Sequence, residues 1–192
     1  MAVALLWNVM ARAQNTNKCL DEKQSCDIVL PTSQQKLNFN NGWRLAVGDV
    51  AGAEQPELDD DRWLQVTLPY AFNGDEAFRK DIVDHTDTIT WYRKTFDVST
   101  TAQKKFFIEF EGVRQGADFY LNGHHLGVSE NGVMACGFDL TPYIKSGGNV
   151  LAVRCDNSWT YRSRRHDSRY QWNDRNFNAN YGGIPKNVWL HV

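Results

Sequence analysis

The chain alternates apolar and polar residues with a period of two over much of its length. Between residues 105 and 111, Phe106, Ile108 and Phe110 fall on one side of an extended chain, whereas Glu109 and Glu111 fall on the other. Similar alternation recurs at residues 92–98, 117–122 and 188–192. This period is typical of β-strands that bury one face and leave the other in water.

Turn signals separate these predicted strands. The Asn122-Gly123 pair predicts a tight hairpin, because both residue types tolerate positive φ, and residues 126–128 are the expected return strand. Residues 150–153 form an apolar run suited to an interior strand. Helical periodicity is confined to one short turn predicted at residues 139–144. Many short strands without intervening helices predict an all-β antiparallel sandwich or barrel.

Composition and charge exclude several functional classes. The chain has 192 residues and a net charge of −2, so a globally basic nucleic-acid protein or a polybasic membrane binder is not expected. No apolar run approaches the roughly 20 residues of a membrane helix. A complete (β/α)8 barrel needs roughly 250 residues and does not fit. The seven Trp, seven Tyr and ten Phe residues offer rings that can pack in a core or stack on sugars.

The N-terminal 35 residues differ from the rest of the chain. Residues 1–7 are apolar, and Ala11-Arg12-Ala13 has the small-residue spacing of a signal-peptidase site. We therefore predict a signal-peptide remnant at 1–13, a flexible leader at 14–35 and one domain at 36–192, in a periplasmic or secreted protein. The alternative is a short amphipathic leader or a disordered tail, because the basic n-region is missing and Asn8 interrupts the apolar run.

The cysteines and histidines give no metal-binding pattern. Cys19 and Cys26 bracket a polar loop, where a disulfide would suit an oxidising compartment, and Cys155 is expected to be a buried apolar side chain. No C-x-x-C pair is present, and His124 and His125 are adjacent in an extended segment, so they would face opposite ways. We predict neither a metal site nor a cofactor.

The segment from Trp159 to Asn180 is rich in aromatic and arginine residues. A connection of this length between strands is usually functional or disordered, and its aromatic content argues against disorder. It can line a sugar pocket, dock on another domain, or form a patch for single-stranded nucleic acid. The negative net charge and the lack of a nucleic-acid motif argue against the last of these.

Five segments together resemble the N-terminal sugar-binding domain of family 2 glycoside hydrolases, the β-galactosidase and β-glucuronidase group. They occur in the order found in that family. They read FNNGWRL at 39–45, DRWLQVTLP at 61–69, WYRKTF at 91–96, FEGV through YLNGHHLG at 110–127, and YGGIPKNVWL at 181–190. Where the family commonly has Arg in the last segment, this chain has Lys186, which keeps the charge but loses the bidentate fork.

The resemblance implies a jelly-roll β-sandwich of the galactose-binding-domain type. In the family, an immunoglobulin-like domain and a (β/α)8 barrel follow, and the barrel carries both catalytic Glu residues. The resemblance therefore implies no catalytic residue in this chain and no glycosidase activity of the chain alone. The implied partners are a terminal β-linked sugar and the remaining domains of a β-galactosidase-like enzyme, not a nucleic acid or a membrane.

The resemblance also indicates which loops would reach the sugar. In the family, an Asp or Asn just before the closing strand touches the sugar, and the candidates here are Asp174, Asn176 and Asn178, with Trp172 available for stacking. The loop after Pro69 also approaches the active site in the family, which makes Asn73 a candidate, although Asn73-Gly74 equally fits a simple turn.

Two other functions remain open on the sequence alone. The domain could be a free-standing carbohydrate-binding module, or it could be a structural buttress for a catalytic barrel. His85 could lie at the rim of a sugar cleft or in a solvated loop, and Asp59, Asp60 and Asp61 are expected to form a solvated turn. The tryptophans in or beside strands, at positions 43, 63, 91 and 189, are assigned to packing.

Overall fold

A computed structural model describes residues 34–75, 88–99, 103–158, 160–165, 167 and 181–192. Twelve strands lie in these ranges, and no helix does. Their bounds are β1 Lys36–Asn38, β2 Trp43–Val47, β3 Leu64–Val66, β4 Tyr70–Ala71, β5 Ile89–Val98, β6 Phe107–Phe110, β7 Gly116–Leu121, β8 His124–Ser129, β9 Cys136–Asp139, β10 Gly147–Asp156, β11 Gly183–Ile184 and β12 Val188–His191.

The strands form two larger sheets and one small one, and their pairings are antiparallel. One sheet has the order β1-β12-β6-β9, the second β3-β2-β5-β10-β7-β8, and the small sheet pairs β11 with β4. From β5 to β9 the chain passes back and forth between the two large sheets. The predicted jelly-roll β-sandwich is confirmed.

An aromatic core joins the two large sheets. Phe110 of the four-stranded sheet lies between Trp43 and Phe119 of the six-stranded sheet, with ring centroids 6.4 and 4.8 Å away. Phe119 in turn contacts Phe138 at 4.6 Å. Leu151, on the central strand β10, is fully buried in the same core. Such offset and edge-on ring pairs stabilise a core beyond the area that they bury.

The alternation in the sequence predicts the facing of most strands correctly. In β6, Ile108 and Phe110 are buried in the core, and in β7 the same holds for Ala117, Phe119 and Leu121. The predicted hairpin is present, with φ of 52° at Asn122 and 83° at Gly123. The helical turn predicted at 139–144 forms through the Ile144 amide, which donates to the Leu140 carbonyl at 2.9 Å. Cys155 is fully buried, as expected.

The ladder between the first and last strands extends by one residue beyond β1. Gln35 and Val192 exchange two backbone hydrogen bonds of 2.8 Å, so the sheet begins at the edge of the predicted leader. Residues 1–33 lie outside the described residues. They include the predicted signal-peptide remnant, most of the predicted leader, Cys19 and Cys26. Those assignments stay predictions.

Arg93 is the largest departure from the predicted pattern. It lies on the outer face of β5, where solvent exposure would be expected, yet its side chain is only 1 % exposed. Its Nε donates to Asp60 at 2.7 Å, and its terminal nitrogens donate to the carbonyls of Ala53, Gln55 and Leu58. The expectation that Asp59, Asp60 and Asp61 form a solvated turn is therefore wrong for Asp60, because this carboxylate neutralises a buried guanidinium.

The segment from Asp49 to Asp61 consequently covers the outer face of the six-stranded sheet. Ala53 of this segment forms a second buried cluster with Trp91 and Ala152 of the sheet, against which Trp63 packs. Central strand β10 is therefore buried on both faces near its middle. Of the four tryptophans assigned to packing, Trp43 and Trp91 are buried and Trp63 is partly buried.

The fourth of these tryptophans, Trp189, lies on the outer face of the four-stranded sheet. Its indole nitrogen donates to Glu111 at 2.8 Å, and the Lys36 ammonium lies 4.7 Å from its ring centroid. His191 and Lys36 both contact the Glu109 carboxylate, at 2.7 and 3.3 Å. The two outward-facing glutamates are thus paired with neighbours on their own sheet.

We expect Arg93→Met to lower the free energy of unfolding by about 3–5 kcal/mol, because it leaves Asp60 and three carbonyls without their buried cation. The free energy of unfolding of Arg93→Lys should lie between those of Arg93→Met and the wild type, since lysine keeps the charge but lacks the forked guanidinium. Urea denaturation followed by tryptophan fluorescence measures both. Arg62→Met, at an exposed position in the same segment, should stay within about 0.5 kcal/mol of wild type. Equal unfolding midpoints for Arg93→Met and Arg62→Met would show that the contacts of Arg93 with Asp60 and the three carbonyls contribute nothing to stability.

Candidate functional site

The small sheet brings two distant parts of the chain together at one end of the sandwich. In it, Tyr70 pairs with Ile184 and Ala71 with Gly183. The pairing continues past the strand, because the Phe72 amide donates to the Gly182 carbonyl at 3.3 Å. The turn after β4 and the approach to β11 are therefore fixed against each other.

Asn73 reinforces this junction from a buried position. Its side chain lies in the turn after β4, it is only 3 % exposed, and its Oδ1 accepts a hydrogen bond of 2.9 Å from the Gly182 amide. This hydrogen bond joins two residues that are 109 positions apart in the sequence. Asn73 therefore holds the junction, and its predicted contact with sugar stays a prediction.

The glycines at 182 and 183 are required by close approach. A Cβ on Gly183 would lie 2.1 Å from the Tyr92 hydroxyl oxygen, and one on Gly182 would lie 2.6 Å from both Phe72 and Asn157 side-chain carbons. Gly183 also has a φ of 93°, which side chains rarely adopt. The Tyr92 hydroxyl donates to the Tyr70 carbonyl at 2.9 Å, so the same close packing ties strand β5 to the junction.

Arg114 is the buried cation of this region. It exchanges backbone hydrogen bonds of 2.9 and 3.0 Å with Gly183, and its guanidinium lies 4.3 Å from the centroid of the Tyr181 ring. Burial of the guanidinium lowers its pKa, and the neighbouring Tyr181 opposes this shift. The ring of Tyr181 is thereby held over a positive charge immediately before the closing strands.

On the other side of the predicted sugar loop, an acidic residue of β7 anchors the described residues 160–165. Arg164 binds Asp118 through two parallel hydrogen bonds of 2.8 and 2.6 Å. His125 approaches the same carboxylate with its Nε2 at 3.0 Å. The Asp118 side chain is only 8 % exposed, so this bidentate pair is partly shielded from water.

Glu130 provides a second anchor for the same segment. It accepts hydrogen bonds from the Arg164 amide at 2.7 Å, the Tyr161 hydroxyl at 2.8 Å and the Ser163 hydroxyl at 3.1 Å. Desolvation is the largest single influence and raises the pKa of Glu130. The backbone and hydroxyl hydrogen bonds together outweigh it and hold the pKa below its ordinary value. The ionised carboxylate is therefore the form that the fold requires.

Four of the five predicted sugar-contacting residues, Trp172, Asp174, Asn176 and Asn178, lie outside the described residues, as does His85. Asn73 is described, and it lies at the junction that leads into the C-terminal end of that loop through Gly182. The described residues on either side of the loop are held by Arg164 and Glu130 before it and by Asn73 and Arg114 after it.

Asp118, Glu130 and Arg114 are not among the residues that the sequence predicts for the site. Asp118 and Glu130 are separated from Arg164 by 46 and 34 positions, and no local pattern links them. One signal was present, because a run of arginines after β10 needs acidic partners and Asp118 sits within an otherwise apolar strand. Arg114 follows an apolar strand and a glycine turn, and nothing in its neighbourhood marks it as buried.

The chemistry of these groups fits anchoring and not proton transfer. A general acid in glycoside hydrolysis needs a raised pKa. Among the described carboxyl groups, every resolved pKa shift is downward, for Asp49, Glu109, Glu111, Glu130, Asp139 and Asp167.

Within the described ranges, no three His, Cys, Asp or Glu side chains are grouped as they would be around a metal ion. None of the described residues forms a helix with the length and apolarity needed to span a bilayer.

Comparison with solved structures gives the same architecture. A family 2 β-glucuronidase structure superimposes with a TM-score of 0.75 at 33 % identity, covering 86 % of this chain and 18 % of the other. The Bacteroides uniformis β-glucuronidase 2, covalently bound to cyclophellitol-6-carboxylate aziridine, superimposes with a TM-score of 0.70 at 27 % identity, covering 82 % of this chain and 18 % of the other.

Sequence relatives agree with the structures. A β-glucuronidase of Formosa agariphila is 34 % identical over 86 % of this chain, and a β-galactosidase of Bacteroides ovatus is 35 % identical over the same share. The chain spans 18 % and 19 % of the lengths of these two relatives. The profile of the glycosyl hydrolase 2 galactose-binding domain-like family matches residues 65–187. The chain therefore belongs to the galactose-binding-like domains of glycosyl hydrolase family 2.

Proposed function

We propose that this chain is the sugar-recognition and scaffolding domain of a retaining β-glycosidase whose catalytic barrel lies outside these 192 residues. In this proposal, residues 168–180 form one wall of the subsite for the terminal sugar. Asp174, Asn176 and Asn178 hydrogen bond to sugar hydroxyls, and Trp172 stacks on the ring. The two catalytic carboxyl groups, about 5 Å apart in retaining enzymes, come from the barrel.

The observation that carries the proposal is the double anchoring of this loop. On its N-terminal side, Arg164 is bound to Asp118 and Glu130, and on its C-terminal side Gly182 is bound to Asn73. A recognition loop gains from fixed ends, because less conformational entropy is lost when the ligand binds. A bidentate ion pair with buried Asp118 at one end and a hydrogen bond to buried Asn73 at the other are more than a solvated connection requires.

The similarity to β-galactosidases and β-glucuronidases supports a terminal β-linked sugar as the substrate class. Relatives of both kinds match this chain at nearly equal identity, 35 % and 34 %. The sugar hydroxyls common to galactose and glucuronic acid suit amide side chains, which both donate and accept hydrogen bonds, and carboxylates, which accept them. We propose the β-galactosidase-like activity as the first to be tested.

We expect Asp174→Ala, Asn176→Ala and Asn178→Ala, made in the glycosidase that contains this domain, to lower kcat/KM for its β-glycoside. Loss of a hydrogen bond that leaves its partner unpaired costs about 1.5–3 kcal/mol, which corresponds to about 10- to 150-fold. The loss at Asp174 should be the largest, because a charged acceptor makes the strongest bond. Steady-state kinetics on nitrophenyl β-glycosides measures the effect. The proposal fails if all three variants keep full activity.

Two further variants separate recognition from folding. Asn41→Ala, at an exposed position remote in sequence from the loop, should leave both activity and stability unchanged. Asn73→Ala should lower the free energy of unfolding by about 1–3 kcal/mol, because it leaves the buried Gly182 amide without its acceptor. Loop variants that lose stability but keep activity would identify residues 168–180 as a domain-docking element instead.

The Glu130 anchor should make the loop sensitive to acid. Because the folded-state pKa is lowered, Glu130 contributes stability that is fully present above its ordinary pKa of 4.5 and is lost as the pH falls through the lower folded value. We expect Glu130→Gln to be less stable than wild type near neutral pH and the difference to shrink in acid. Urea unfolding across this pH range, with hydrogen exchange at residues 160–165, measures it. Glu57→Gln, at an exposed site, is the matched control. A difference that is independent of pH would contradict the assignment.

We also propose export to the periplasm or the medium, with cleavage after Ala13. The support is the spacing of Ala11 and Ala13 after the apolar start of the chain. Mass spectrometry of exported protein should find Gln14 as the first residue and a disulfide between Cys19 and Cys26. Cys136 and Cys155 are free thiols. Because Cys155 is fully buried, it should be alkylated only after unfolding. Exported protein that retains Met1 would contradict the proposal.

A further inference from the structure

The outer face of the six-stranded sheet carries an open groove of about 570 Å³, which shares no lining residue with the small-sheet junction described above. Residues 49–52, 54 and 55 form one wall, the hairpin turn at Gly123 forms another, and Trp91, Tyr120 and Arg154 lie along the floor. The volume falls in the range of small-molecule sites. Neither the family resemblance nor the anchored loop accounts for this groove.

A fixed pair of opposite charges stands at one end of the groove. Arg154 binds Asp49 through its Nε at 3.0 Å and a terminal nitrogen at 2.7 Å, and the Trp91 indole donates to the same carboxylate at 2.9 Å. The hydrogen bond from Arg154 is the main reason why the pKa of Asp49 is lowered. Half of the Asp49 side chain and a fifth of the Arg154 side chain remain exposed. Each therefore keeps hydrogen-bonding capacity that faces the groove.

The floor is aromatic and carries a polar tip. The Tyr120 ring is partly buried against Trp91, with centroids 6.0 Å apart, and against His125 at 5.1 Å. Its hydroxyl has no hydrogen-bond partner among the described residues. An orientated ring next to an unused hydroxyl and a fixed carboxylate–guanidinium pair suits a ligand with both an apolar face and hydroxyl groups.

The wall of the groove is rigid because Arg93 holds it from beneath. The carbonyls of Ala53 and Gln55 accept from Arg93 at 2.5 and 2.8 Å, and Ala53 is fully buried. The wall therefore loses little freedom when a ligand binds, which favours binding by a preformed site.

The charges select between classes of sugar. The groove is lined by two carboxylates, Asp49 and Glu54, and by one cation, Arg154, which already pairs with Asp49. An anionic ligand such as a uronic acid would meet the unpaired negative charge of Glu54. A neutral ligand avoids this repulsion and can accept from Arg154 while it donates to Glu54.

We propose that this groove binds a neutral, hydroxyl-rich ligand, namely a neutral pyranose unit of a glycan, independently of the terminal-sugar subsite. Its place on the outer face of the sheet would let the domain hold a glycan chain apart from the residue that is cleaved. We expect a dissociation constant of about 1 mM for a single sugar unit, because the groove is open and the ligand is small.

Saturation-transfer and chemical-shift NMR on the 192-residue chain tests the groove directly, with methyl β-galactoside, methyl β-glucoside and glucuronate as probes. We expect saturable shifts at Tyr120, Gly123 and the Trp91 indole with a neutral glycoside, and weaker ones with glucuronate. Tyr120→Phe should weaken binding about 2- to 12-fold through loss of one hydrogen bond, with little change in stability. Glu54→Gln should raise the affinity for glucuronate relative to the neutral sugars, whereas Glu57→Gln, in the same segment but outside the groove, should change neither.

Three outcomes would overturn the proposal. The first is no saturable shift with any neutral glycoside at about 20 mM, well above the expected dissociation constant. The second is binding that Tyr120→Phe and Glu54→Gln leave unchanged but Asn176→Ala abolishes, which would assign the sugar to the loop. The third is an equal affinity for glucuronate and neutral glycosides that Glu54→Gln does not alter. The proposed glycosidase role is tested separately by kinetics and survives any of these results.

Discussion

A buried guanidinium determines the shape of one whole face of this domain. Arg93 lies on the outer face of the six-stranded sheet, where burial without partners would be strongly unfavourable. It is retained because Asp60 neutralises it and three carbonyls of the segment 49–61 accept hydrogen bonds from its terminal nitrogens. That requirement forces the segment to fold across the sheet. The consequences are a second apolar cluster around Trp91 and a central strand covered on both sides.

Four consecutive side chains of strand β5 donate hydrogen bonds to other segments of the chain. Trp91 donates to Asp49, Tyr92 to the Tyr70 carbonyl, Arg93 to the segment above it, and Lys94 to the Asn41 carbonyl. Because side chains of a strand alternate between faces, these contacts tie elements on both sides of the sheet to one strand. The WYRK motif therefore codes for tertiary connections as much as for a strand.

How far the sequence predicts this protein depends on how local each interaction is. Alternation predicts β6 and β7, and Asn122-Gly123 predicts the hairpin, because both signals are contained within a few residues. Arg93 reads as a solvent-facing residue of an alternating strand, and only its partners 33 to 40 positions away reverse that interpretation.

The candidate site shows the same limit more strongly. The resemblance to family 2 hydrolases predicts a recognition loop just before the closing strands, but it says nothing of what holds the residues on either side of that loop in place. Asn73 is a case in which two interpretations meet. It lies in a turn, as an Asn-Gly pair predicts, yet its side chain is buried and bound to Gly182 at the other end of the sequence. No pattern in the sequence distinguishes an exposed turn residue from a buried one that joins two distant segments.

The junction and the groove are connected through strand β10. Arg154 in this strand faces the groove, Cys155 faces the core, and Asn157, just past its end, packs against Gly182 at the junction. The strand is hydrogen bonded on both sides over most of its length, to β5 and to β7. Such a strand cannot shift its register by one residue without moving every side chain to the opposite face. The junction and the groove are therefore joined by a strand whose register both neighbouring strands fix.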